Sequence, residues 1–174
     1  GPDDFWSNIG LSEIEIYGEE SDIEAAENKN HVNAAGVTAE ASTTEASSLP
    51  VSNIKDGNNQ TRWASDYSEA SKQTVTVTFP KVTLVKELDF DLHTRDVAPM
   101  PSNVKSFDLV YADAAGTEHT VKISNAKSTE SGKTGYVTNV QHIFETPVYM
   151  KSFKMTNFDL QIDIEGQNGY NNIS

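Results

Sequence analysis

The sequence predicts an all-β domain, built as a sandwich or a barrel. Three observations carry this. About eight short segments alternate apolar and polar residues, turn-forming residues separate them, and no stretch has the apolar period of an amphipathic helix of normal length. Alternation points every second side chain to the same side of a strand, so each segment has one face to bury.

The elements follow in order along the chain. Leu11 to Tyr17 sets Ile14 and Ile16 against Glu13 and Glu15 and stops at Gly18, as a half-buried strand does. Residues 19–30 are acidic with little periodicity and read as a connection or as a short helix through Ile23, Ala25 and Ala26. Val37 to Ser42 reads as a strand and Thr43 to Pro50 as polar loop. Ser52 to Ala64 is turn-rich, holding Asp56-Gly57-Asn58-Asn59 and closing on Trp63. Thr74 to Pro80 alternates strictly, and Val82 to Leu92 places Leu88, Phe90 and Leu92 on one face. Val104 to Ala112 aligns Phe107, Leu109 and Tyr111, and the turn Asp113-Ala114-Ala115-Gly116 joins it to His119–Ile123 as a hairpin. Val137 to Phe144 and Val148 to Phe158 are two more strands, and Asp163 to Asn172 is a polar, glycine-containing loop.

The two ends repeat one another. Trp6-Ser7-Asn8-Ile9-Gly10 matches Tyr170-Asn171-Asn172-Ile173-Ser174 as aromatic, small polar, Asn, Ile, small, about one domain length apart. The chain is therefore expected to be a module of a tandem array cut out of phase, or a domain whose closing strand stands at its start. Gly1-Pro2 reads as a protease-cleavage scar, with the targeting signal of the natural protein lying elsewhere.

Bulk properties narrow the function. The chain has 174 residues, enough for one domain with a core, and a formal net charge of −13 with scattered Lys and Arg. That field opposes nucleic acid and anionic membranes as partners and suits neutral ligands or divalent cations. Cysteine is absent, which excludes disulfides and thiolate metal sites. No apolar run is long enough to insert into a membrane. His31, His119 and His142 are scattered, and no GxSxG, HExxH or Ser–His–Asp pattern occurs, so an independent enzyme is not expected.

Several segments together resemble the discoidin, or coagulation factor 5/8 type C, superfamily, and within it the family 32 carbohydrate-binding modules of bacterial enzymes. The residues that carry the resemblance are Asn53 to Trp63 (NIKDGNNQTRW), like the family's DGN-x-x-TRW segment, and Leu92-His93-Thr94-Arg95, like its Y-x-P-R strand end. Val104 to Asp113 is similar to the strand before its S-x-DG turn, and Leu11 to Gly18 (LSEIEIYG) is similar to its last strand. The resemblance implies a discoidin-like β-sandwich jelly roll, a galactose-binding-domain-like fold. Residues 3–18 would supply the strand that closes it, 19–30 the acidic connection and 31–174 the rest of the sandwich.

Two sites come with this expectation. Asp56, Gly57, Asn58, Asn59 and Thr61 form a turn rich in oxygen donors, which a calcium ion prefers, although a hydrogen-bonded turn without metal has the same composition. The resemblance implies a structural calcium there, held by Asp56 and Thr61 with Lys55 and Asn58, and closed by Glu13 with the carbonyl of Ser12. Trp63 is expected in the core. The resemblance also implies a sugar site among the loops at one end: Asp66 and Tyr67 after Trp63, then His93, Arg95 and Asp96, then Asn168 and Tyr170 before the last strand. Arg95 offers a donor fork to hydroxyl oxygens and Tyr170 a ring to stack on a sugar face. Each also has a plain structural use: Arg95 in a surface ion pair, His93 at a strand end, Tyr170 against the sheet. His93 stands where the family has Tyr, and Asp96-Val97-Ala98-Pro99-Met100-Pro101 departs from the family pattern.

The function expected is a non-catalytic carbohydrate-binding module, with galactose or N-acetylgalactosamine as the ligand type. It would target a larger secreted or surface protein, such as a glycoside hydrolase or a mucin-directed peptidase, to glycans outside a bacterial cell. The alternative is a domain of the same fold acting as a protein-interaction or spacer unit without a sugar site. Lipid binding, also known among discoidin relatives, is opposed by the net charge.

Overall fold

The computed structural model describes residues 9–20, 29–93, 103–128 and 137–161. The strands are β1 (Gly10–Glu20), β2 (Lys29–Asn30), β3 (Thr38–Ala41), β4 (Trp63–Ala64), β5 (Val75–His93), β6 (Asn103–Asp113), β7 (Glu118–Ser124) and β8 (Val137–Gln161). The only helical pieces among the described residues are single 3-10 turns at Val51–Lys55 and Ala70–Lys72.

All pairing is antiparallel, and the strands form two layers joined through the two long ones. In one layer β1 lies between β2 and the second half of β5, which in turn pairs with the first half of β8. In the other, β3 pairs with the first half of β5, which pairs with the second half of β8, and β6 and β7 follow. The expectation of a β-sandwich is met. The phenylalanines of the layers meet between them: Phe90 of β5 stands 5.1 Å edge-on from Phe107 of β6, and Phe107 stands 5.6 Å from Phe158 of β8.

Two boundaries differ from the sequence expectation. Thr74–Pro80 and Val82–Leu92 are one strand, and so are Val137–Phe144 and Val148–Phe158. Each contains an internal proline, Pro80 and Pro147. Proline forfeits one ladder hydrogen bond but need not end a strand; here it coincides with register shifts between Thr78 and Thr83 and between Val85 and Glu87. The chain bends there and passes from one layer to the other. The acidic connection is also shorter than expected, since Glu19 and Glu20 continue β1 and Lys29–Asn30 form β2; residues 21–28 lie outside the described residues.

Strand β1 is internal to its layer. Ile9, Leu11, Ile14 and Ile16 are fully buried and belong to the core cluster. Register pairs Glu13 with Asp91, Glu15 with Asp89 and Tyr17 with Glu87. Trp63 is fully buried, as expected, and its indole N–H donates to the Thr43 carbonyl at 3.0 Å.

Candidate functional site

The loop after Val51–Lys55 is ordered by its own side chains. Asp56 Oδ1 accepts from the Asn58 amide at 2.8 Å, and Asp56 Oδ2 accepts from the Thr61 hydroxyl at 2.7 Å. The Asn58 carbonyl faces Thr61, with the Thr61 amide at 3.1 Å and its hydroxyl at 2.8 Å. Gly57 sits at φ +74°, a left-handed conformation that glycine enters without strain, and a Cβ there would stand 3.4 Å from Asn33 Nδ2. The Asp-Gly-Asn order is thus what the turn requires: an acid to accept two donors and a glycine to reverse the chain.

Glu13 faces this loop. Together with Glu15, Asn30, Gly57, Asn58, Asn59 and Asp91 it lines a cavity of about 250 Å³. The side chain is 6% exposed, and neither carboxylate oxygen meets a hydrogen-bond donor. Burial, and next the negative charge of Asp56, push its pKa up from 4.5 to about 7. The Gly57 amide lies on this side and offsets part of the rise without coming within hydrogen-bond geometry. The Ser12 hydroxyl beside it is also buried without a partner. A buried carboxylate with two bare oxygens costs free energy unless a proton or a cation satisfies it. Among the described residues no three His, Cys, Asp or Glu side chains are arranged to hold a metal ion. Beyond at most one further carboxylate, an ion at Glu13 would therefore draw its ligands from carbonyl, amide and hydroxyl oxygens, which is calcium's chemistry rather than zinc's. The residues present fit a calcium ion in kind: Glu13 and Asp56 as charged donors, with Lys55, Asn58, Thr61 and Ser12 nearby in sequence to them.

The residues expected to touch a sugar divide by position. Arg95, Asp96, Asn168 and Tyr170 lie outside the described residues. Asp66, Tyr67 and His93 lie at one end of the sandwich. Ser65 bonds Ile9 in both directions of the chain, its amide to the Ile9 carbonyl at 3.0 Å and its hydroxyl from the Ile9 amide at 2.9 Å, while the Gly10 backbone packs on His93. All three side chains already have structural work. Asp66 accepts from the Ser68 hydroxyl and amide and from Gln73 Nε2 at 3.2 Å, and the Ser68 bond foremost holds its carboxyl below the usual range. The Tyr67 hydroxyl donates to the Glu45 carboxylate, and His93 is 8% exposed.

The structure adds residues the sequence did not single out. Glu15, Asp91 and Asn30 share the Glu13 cavity with Gly57, Asn58 and Asn59 of the turn. Asn30 Oδ1 accepts from the amides of Ile16 at 3.1 Å and Val32 at 3.0 Å, tying β1 to the segment that follows β2. The signal for Glu15 and Asp91 was present as acids at every second position of two strands, but only register places them together.

Comparison with known proteins agrees with this fold. A family model described as F5/8 type C domain matches residues 38–174. Among solved structures, the chain is similar to the family 32 carbohydrate-binding module from C. perfringens NanJ in complex with galactose, with a TM-score of 0.53 and 20% sequence identity over 78% of this chain and 89% of that one. At that identity the likeness concerns the fold. None of the curated proteins matches the chain. The family match begins at Thr38, after β1, and so omits Glu13. It nonetheless covers most of the sequence, and the chain belongs to the F5/8 type C domain family.

Proposed function

We propose that this domain is a non-catalytic carbohydrate-binding module that holds a larger secreted or cell-surface protein on glycans bearing terminal galactose-type sugars, and that a structural calcium ion fixes the loop beside Glu13. The observation that carries the glycan reading is family membership over residues 38–174 combined with a sandwich fold like that of a galactose-bound family 32 module. The observation that carries the calcium reading is the buried, donor-free Glu13 carboxylate facing the Asp56–Thr61 loop. Neighbouring domains of the parent protein, including further copies of this module, are proposed partners on the strength of the repeated ends.

Such a module recognises sugars with loops at one end of a rigid sandwich, where planar polar groups read hydroxyls and an aromatic ring covers a sugar face. Arg95, Asp96, Asn168 and Tyr170 are proposed for these roles, together with Asp66, Tyr67 and His93.

The second reading is a protein-interaction or spacer domain without a sugar site. It is favoured by the internal engagement of Asp66 and Tyr67 and the burial of His93. Glycan-array screening followed by calorimetric titration separates the two. The first reading expects galactose-type glycans to bind wild type and binding to be lost in Arg95→Ala with the melting temperature unchanged. Wild type that binds no glycan on the array sinks the glycan reading in favour of the second.

A further inference from the structure

The end of the sandwich away from the expected sugar loops has a cleft of its own. Asn125 Nδ2 donates to the Val104 carbonyl at 3.0 Å and to Thr138 Oγ1 at 2.9 Å, and Thr138 pairs with Leu92. The start of β6 and the His93 end of β5 therefore lie side by side. Tyr111 stands near the other end of β6, about 23 Å from Val104 at the rise of an extended strand. There the β6–β7 hairpin meets the bend of β8 at Pro147. Tyr111, Asp113, Ala115, His119, Pro147 and Tyr149 line a cleft of about 430 Å³, a size that suits a small ligand.

One wall of the cleft is polar and fixed. Asp113 Oδ1 accepts from the amides of Ala115 at 2.9 Å and Thr117 at 3.0 Å, and its Oδ2 lies 2.7 Å from His119 Nε2. The His119 bond foremost holds the Asp113 carboxyl below the usual range, so it remains an acceptor at neutral pH. The imidazole stacks on the Tyr111 ring, with centroids 5.2 Å apart and 20° between planes, and Phe144 meets Tyr111 edge-on at 5.4 Å. Packing thus sets the imidazole plane, and His119 Nδ1 is left outside the pair with Asp113. The other wall is aromatic. Tyr149 is 44% exposed, although large apolar side chains are otherwise mostly buried among the described residues. An open ring beside a fixed acceptor and an imidazole suits a pyranose, whose C–H face covers the ring while its hydroxyls meet the polar groups. A proline-rich peptide would need adjacent open aromatic faces, and His119 already covers one face of Tyr111. The Asp113 charge and the net charge of −13 oppose an anionic ligand.

We propose that this cleft is a second subsite, for a neutral hexose, at the end of the domain opposite the expected sugar loops. The inference rests on the carbohydrate-binding reading of the domain and extends it. The sugar ring lies on Tyr149, one hydroxyl donates to Asp113 Oδ2, and another shares a hydrogen bond with His119 Nδ1. Sites at opposite ends let one module engage two branches of a glycan-covered surface. The second contact then forms at the effective concentration that the first creates.

The test is a proton–nitrogen NMR titration of the full chain with galactose into the high millimolar range. The amides of Ala115, Gly116 and Thr117 in the hairpin are expected to shift, independently of those of Asp66 and His93 at the loop end. Tyr149→Ala, at an exposed position, is expected to weaken the hairpin response about tenfold and to leave the loop-end response unchanged. Tyr149→Phe keeps the ring and is expected to retain the response, whereas His119→Ala is expected to weaken it. Glucuronate, which carries a carboxylate, is expected to move none of the hairpin amides. A silent hairpin with a responsive loop end would overturn the second subsite and leave the carbohydrate-binding reading standing. A responsive hairpin with a silent loop end would support the subsite and remove the site at Arg95, and silence at both ends would overturn both. Hairpin shifts that Tyr149→Ala leaves unchanged, or that glucuronate or a proline-rich peptide produces and galactose does not, would also overturn the proposal.

Discussion

Glu13 of β1 and Asp56 of the loop it faces repel one another, and after burial that repulsion is the largest force raising the Glu13 pKa to about 7. A rise from 4.5 of that size is roughly 3 kcal/mol of preference for the neutral carboxyl. In the metal-free domain the folded protein therefore binds this proton more tightly than the unfolded chain. The stability it contributes is complete below about pH 4.5 and lost as pH rises through about 7. The proposed calcium ion, if bound at Glu13, would reverse the trend by taking the proton's place. Melting curves in chelator are expected to shift down between about pH 5 and 8, and curves in millimolar calcium to stay level or rise. Parallel curves in the two conditions would remove calcium from Glu13.

Glu13→Gln isolates the charge. The amide brings its own donors to a cavity that offers acceptors, so the variant is expected to fold and, in chelator at neutral pH, to melt at or above wild type. Its response to calcium should vanish. For wild type at a calcium concentration one hundred times Kd, mass action predicts about 2.7 kcal/mol of stabilisation, several degrees in a domain of this size. Differential scanning calorimetry with and without calcium measures both. A calcium-dependent shift retained in Glu13→Gln would place the ion elsewhere.

Strand β1 precedes the residues matched by the family model, yet it is paired along most of its length with β5 and, with Ile9 just before it, buries Ile9, Leu11, Ile14 and Ile16. A protein cut to residues 38–174 would expose the β5 edge and lose those four side chains. It is expected to be insoluble or molten, with collapsed amide dispersion in its proton–nitrogen NMR spectrum. Within the intact chain, Ile14→Ala is expected to cost about 2–5 kcal/mol, as other deletions of fully buried aliphatic side chains do. A well-dispersed spectrum from the truncated protein would mean that β1 is an accessory to the fold.

Much of this was legible because alternation writes itself into sequence. Val75, Val77 and Phe79 are buried and the threonines between them less so, the alternation by which Thr74–Pro80 reads as a strand. The Asp-Gly-Asn turn was equally plain, since only a few residues tolerate its backbone. What could not be read was register. Glu13, Glu15 and Asp91 look like ordinary solvent-facing acids in their own strands; their shared cavity exists only because Glu13 pairs with Asp91 rather than with a neighbour two residues away. The joining of two expected strands at Pro80 and again at Pro147 escaped for a related reason. Proline marks a broken ladder bond, and whether the chain then turns or bends depends on the layer it can reach next.

Gly57 provides the sharpest test of the loop. Its φ of +74° strains any residue with a Cβ, while the nearest atom, Asn33 Nδ2 at 3.4 Å, leaves room for a methyl group. Gly57→Ala therefore charges the backbone alone, at roughly 1–2 kcal/mol. If the loop kept its shape, stability would fall by that amount and calcium affinity would be unchanged. The loop has a cheaper course, because Asp56, Asn58 and Thr61 hold it only through exposed hydrogen bonds. It is expected to rearrange, moving the oxygens of Asp56, Asn58 and Thr61 away from where they now stand relative to Glu13. Calcium binding by isothermal titration should then weaken at least tenfold while the metal-free melting temperature drops by no more than a few degrees. A variant that loses stability but binds calcium as wild type does would separate the turn from the ion.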